Sequence, residues 1–227
     1  VIARWLRGRS QPILGHEVAG GDIAALGLQD WWLETFSKAD RDWMAETYAP
    51  LGVVASIAPP AARVAQADRR LVEGWGCHTE TSPFTYLSML ATWFSTPGHE
   101  HCAIAFLEKS VEFYSPAISA LDRHFALANH CAVFYRWRDS VPGALEKAIA
   151  ACEMCIAIHE QAAMEAKEFF GSVPAHACFR QLRIIEEKRG NFDRAIELCE
   201  QAKAGGWADD WDKAIARIRA KKMKAKR

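Results

Sequence analysis

The 227-residue chain is half hydrophobic and balances 28 Lys plus Arg against 28 Asp plus Glu, so it has ample material for a core and no net charge. No run approaches the roughly 18 uninterrupted apolar residues of a membrane-spanning helix, which excludes that class. The neutrality is a cancellation: eight basic residues crowd into positions 213–227, and the remainder, with 20 basic and 28 acidic residues, carries −8.

Residues 1–29 mix Arg4, Arg7 and Arg9 with Gly15, Gly20, Gly21 and Gly27 and read as a weakly helical arm. From Asp30 the pattern tightens. Trp31, Trp32 and Phe36 form a short apolar helix, and Ser37 with Asp40 resembles a capping box ahead of a helix over 41–48. Pro50 and Gly52 close it. Ala58-Pro59-Pro60 is a breaker, 61–73 reads as a further helix, and Gly74-Trp75-Gly76 ends that one. These elements make residues 1–76 an amino-terminal arm with capping helices, and residues 77–227 a helical array.

In that array Leu87, Leu90, Ala91 and Phe94 recur at three and four residues and share one helix face. Ala103, Leu107 and Ser110 do the same on the next helix, with Ser95-Thr96-Pro97-Gly98 as the break between them. Small residues at Ala91 and Ala103 suit a close helix contact. A second hairpin runs over 124–138 and 144–160, with Ala148, Cys152 and Cys155 on its inner face. A third covers 177–207: Phe179 and Leu182, a turn at Gly190-Asn191-Phe192, then Ala195, Cys199 and Ala202. Trp207 and Trp211 cap the far end.

These positions resemble the tetratricopeptide family, whose unit has a 34-residue period. The match is strongest over 84–117 and 177–207, although Arg183 and Glu186 stand where the family has a small residue and an aromatic. The alanines Ala103, Ala148 and Ala195 are 45 and 47 residues apart, so the repeats are degenerate. The resemblance implies an all-α, right-handed helical-hairpin solenoid of about three repeats with capping helices, the kind of protein found among uncharacterised bacterial tetratricopeptide-containing chains. It implies no activity.

Chemistry-bearing clusters are few. Cys152-Glu153-Met154-Cys155 with His159 is read as core, since buried cysteine behaves as a small hydrophobe and no second CxxC or HxxxH lies within the usual reach for zinc. His99-Glu100-His101-Cys102 crosses a turn, and Cys77-His78 lacks a third group to orient the base, so a metal or a nucleophile there is disfavoured. No phosphate loop, dinucleotide fingerprint, HExxH or GxSxG is present. The expectation is therefore no enzyme, no cofactor and no metal. Seven cysteines, an odd number on helix faces, suit a reducing compartment, hence the cytoplasm.

What the array offers instead is a concave groove lined by the first helices of its hairpins. There the polar set Asn129, His130, Arg136, Arg180, Gln181 and Lys188 is the expected binding surface, for a protein or peptide partner with acidic or carboxylate groups. The alternative is a nucleic-acid-associated regulator using the basic tail, where Ile215 and Ile218 form an apolar stripe among Lys and Arg. An enzyme built on Cys77 and His78 ranks third.

Overall fold

The amphipathic periods resolve into helices throughout: in the computed structural model, which describes residues 21–48, 71–73 and 81–225, eleven helices and no strand occur among the described residues. They are α1 (Gly21–Ala25), α2 (Gln29–Thr35), α3 (Lys38–Thr47), α4 (Pro83–Trp93), α5 (Glu100–Val111), α6 (Ala120–Arg136), α7 (Ala144–Ala157), α8 (His159–Phe170), α9 (Ala177–Lys188), α10 (Phe192–Ala204) and α11 (Trp211–Ala225). The chain forms two compact units, one from Val1–Pro83 with Trp93–Ala105 and one from Phe84–Thr92 with Phe106–Arg227. The boundary expected at 76/77 falls outside the described residues.

In the first unit Ser37 begins α3 as expected. Its hydroxyl accepts from the Asp40 amide at 3.2 Å while Asp40 returns to the Ser37 amide, a complete capping box. Hydrogen bonding from Ser37 and the nearby His101 hold the Asp40 carboxyl below its usual range. Trp32, Phe36, Met44, Ala45 and Tyr48 are buried, and Trp93 donates its indole N–H to the Thr47 carbonyl at 3.0 Å. Of the helix expected over 61–73, the described part, 71–73, is a turn whose Leu71 carbonyl accepts from Ile23 at 3.0 Å.

The second unit is organised around α6, against which α7, α8 and α9 all pack. α9 also packs on α7 and α10, and α10 on α11. The helix read as starting at His124 begins at Ala120, because Ser119 caps it by accepting from the Asp122 amide at 3.0 Å. The inner-face residues are where their spacing puts them: Ala148, Cys152, Cys155, Phe179, Ala195, Cys199 and Ala202 are all fully buried. Beyond α9 the chain turns through Gly190, whose φ of 79° demands glycine, and the Asn191 amide then bonds back to the Glu186 carbonyl at 2.9 Å.

Two departures matter. The helix expected over 144–160 stops at Ala157, and Ile158 serves both as its C-cap and as the start of α8. α8 is an inserted helix that lengthens the chain between Ala148 and Ala195, and Glu165 from it accepts from the Leu121 amide at 2.8 Å, at the positive end of α6. The atypical Arg183 and Glu186 are both buried; Glu186 is satisfied by Asn191 at 2.7 Å and by Arg189 at 3.5 Å.

Candidate functional site

The six groove residues do not form one surface. His130 is buried, with Nε2 2.8 Å from Ser110 Oγ, an interior position rather than the exposed one a groove requires. Asn129 donates to Ser88 Oγ at 3.4 Å, and Gln181 is half-buried with its amide nitrogen unpartnered. Arg180 is exposed but ion-paired with Asp209 at 3.0 Å; burial raises the Asp209 pKa, and the Asp210 amide together with Arg180 outweighs it and lowers the value. One member reaches an aromatic feature at the surface. Lys188 donates to the Tyr135 hydroxyl at 3.1 Å and sits over its ring, and Arg136, next in the chain to Tyr135, is exposed. Arg138, which was not among the expected residues, lies 4.3 Å from the Tyr135 ring centroid and pairs with Asp139 at 3.0 Å. The C-terminal ends of α6 and α9 thus carry a basic cluster around one tyrosine.

The basic tail is α11, and its stripe is real: Ile215 and Ile218 are buried. Its charges are largely engaged within the unit. Arg217 grips Glu187 with two bonds, at 2.5 and 2.7 Å, Lys221 joins it, Lys222 meets Asp193, and Arg219 reaches Glu200 at 3.5 Å. Bonding from Arg217 and Lys221 holds the Glu187 carboxyl down at about 2.

Inside the same unit the structure assembles a cluster that local sequence spacing does not show. Cys131 comes from α6, Cys152 and Cys155 from successive turns of α7, and Cys178 from α9, all buried. Cys131 and Cys152 stand with sulfurs 3.1 Å apart, and the sulfurs of Cys131, Cys152 and Cys178 lie within 4.8 Å of one another. Cys155, one helical turn from Cys152, forms a neighbouring group of its own with two histidines. Two buried histidines complete the group: His124 Nδ1 is 3.3 Å and His176 Nε2 4.0 Å from Cys155 Sγ. Trp207 closes it, stacked on His124 at 5.0 Å and edge-on to His176 at 4.5 Å.

The electrostatics divide these thiols into two kinds. The hydrogen bonds that Cys131 receives from Cys152 and Cys178 push its pKa down to about 5. Burial raises that of Cys155, but bonds from Cys178, His124 and His176 outweigh it and bring it well below the ordinary value. Cys152 and Cys178, which donate those bonds, are raised. His176 is lowered by burial. Its tautomer follows from geometry: Nδ1 accepts the Phe179 amide N–H at 3.2 Å, so the neutral ring carries its proton on Nε2, toward Cys155.

A smaller group in the first unit joins Asp40, His101 and Cys102. His101 Nε2 is 3.1 Å from the carboxylate and 3.4 Å from the sulfur, and burial raises the Cys102 thiol to about 12. His101 is exposed and Asp40 is committed to capping α3, so this is a surface hydrogen-bonded group rather than a closed site. A pocket of about 730 Å³ opens in the second unit beside His159, Glu160, Arg194 and Gln201. Cys77 and His78 lie outside the described residues. Comparison of the chain with protein-family models, with curated proteins and with solved structures returns no match in any of the three.

Proposed function

We propose that the chain is a non-catalytic binding module, a helical-hairpin array of tetratricopeptide type that receives an acidic segment of a protein partner on the basic face around Tyr135. The observation that carries this reading is Lys188: its ammonium meets the neutral Tyr135 hydroxyl and, among the described residues, no carboxylate. A half-satisfied lysine is suited to a carboxylate, which would gain a charge-assisted bond to Lys188 without breaking a carboxylate pair of that ammonium. The paired state of Arg217, Arg219, Lys221 and Lys222 argues against the tail as the principal nucleic-acid contact.

The test uses fluorescence anisotropy with a labelled glutamate-rich peptide and a lysine-rich control. The acidic peptide binds, its affinity falls with salt, and Lys188→Ala weakens it about tenfold, the loss expected for one charged hydrogen bond. Equal binding of both peptides, or no effect of Lys188→Ala, overturns the assignment.

A further inference from the structure

Single buried cysteines need no explanation beyond packing, and among the described residues Cys102 and Cys199 stand apart from the Cys131 group. Three thiols from three helices within 4.8 Å of one another, with a fourth one helical turn along α7, are a different matter. We propose that Cys131, Cys152, Cys155 and Cys178 bind one tetrahedral zinc-class cation in the core of the second unit, with His124 and His176 serving as hydrogen-bond donors to the sulfurs.

Distance supports a single ion. Around a tetrahedral zinc with metal–sulfur bonds of about 2.3 Å, sulfurs stand about 3.8 Å apart. The three mutually close sulfurs are compatible with that value: Cys131 and Cys152 are 3.1 Å apart and no pair of the three exceeds 4.8 Å. The fourth, Cys155, belongs to the adjoining group with His124 and His176 and reaches the set through its place on α7. Such spacing is too tight to straddle a cluster of several irons. Cys152 and Cys155 lie one helical turn apart on the same face of α7, so both can address one ion without distorting the helix.

The histidines fit the donor role better than the ligand role. A metal-binding imidazole presents a lone pair and donates its other N–H to an acceptor. His176 does the reverse: its Nδ1 lone pair is taken by the Phe179 amide, which leaves Nε2–H facing Cys155 Sγ. Binding costs each ligating thiol its proton, so a divalent ion and four thiolates leave a net charge of −2 and release protons to solvent. N–H donors beside the sulfurs offset the burial of that charge, and Trp207 packs against both histidine rings. Because the ligands are enclosed, the ion enters as the chain folds.

The experiment expresses the full chain in zinc-supplemented and in cobalt-supplemented medium. Expected are one metal ion per chain by elemental analysis, the visible bands and thiolate charge-transfer absorption of tetrahedral cobalt, and a fall in thermal midpoint after chelation. Cys131→Ser and Cys178→Ser lose the metal, and Cys199→Ser keeps it. His176→Gln retains one-to-one binding with affinity reduced about 10- to 100-fold. Where the serine variants fail to fold, native-state thiol titration of the parent decides: four thiols protected by zinc and exposed by chelator support the site. A folded parent that takes up no stoichiometric metal overturns it. So does metal retained by folded Cys131→Ser and Cys178→Ser, or a metal-free chain that closes a Cys131–Cys152 disulfide under mild oxidation.

Discussion

His130 receives nothing from Ser110; it donates to it. Ser110 Oγ already gives its proton to the Leu107 carbonyl at 2.7 Å, so at 2.8 Å from His130 Nε2 it accepts the imidazole N–H. The ring is enclosed by Phe84 and Phe134, and burial pushes its pKa from 6.5 down to about 4. The folded chain therefore refuses a proton that the unfolded chain accepts.

The sign of the pH dependence follows. Between the ordinary histidine value and about 4 the unfolded state binds more protons, so stability is full above that window and declines as pH falls through it. A shift of this size corresponds to roughly 3 kcal/mol as an upper figure. Urea unfolding at several pH values should show the parent losing more stability in this window than His130→Gln does. A His130 resonance that titrates near 6.5 in the native protein would sink the prediction.

Close helix packing at the small residues gives a second expectation. Ala195 and Ala103 are both fully buried at the positions where the spacing called for small side chains. Leucine there must displace neighbours, at a cost of roughly 1–3 kcal/mol. Ala195→Leu and Ala103→Leu should each lower the thermal midpoint while circular dichroism remains helical. Parental melting in both would show that the contacts are looser than their burial implies.

The periodic residues were legible from sequence because helical spacing alone decides which side of a helix is buried. Leu87, Leu90, Ala91, Phe94, Ala103, Leu107 and Ser110 all lie inside, and the Ser37 capping box forms as its three-residue spacing requires. The break at Ile158 was not legible, since neither glycine nor proline marks it. The cysteine cluster escaped for another reason. Cys152 and Cys155 read as inward-facing, which they are, but burial states only that a side chain points inward and not what it meets. Cys131 and Cys178 come from other helices, outside any local ligand spacing. The groove set shows the same limit. His130 shares a helix with exposed Arg136 but faces the core, and Arg180 meets Asp209 from the loop beyond α10.

That pairing reverses the ranking of the basic residues as ligand contacts. Arg180 as an isolated groove cation would be expected to dominate recognition of a carboxylate. With its guanidinium 3.0 Å from Asp209, a ligand must compete with an anion already in place, so little free energy is gained. Lys188, bound only to a phenol, has no such competitor among the described residues. On the proposed reading Lys188→Ala should weaken acidic-peptide binding about tenfold, and Arg180→Ala by no more than about twofold, given the low value of an exposed ion pair. Asp209→Asn supplies the complementary test: releasing Arg180 should strengthen binding and make a further Arg180→Ala substitution costly. All three variants are to be compared by anisotropy at one ionic strength, with circular dichroism to establish that each is folded. If Arg180→Ala is the more damaging substitution, the ligand approaches α9 at its N-terminal half, and the Tyr135 cluster is not the binding face.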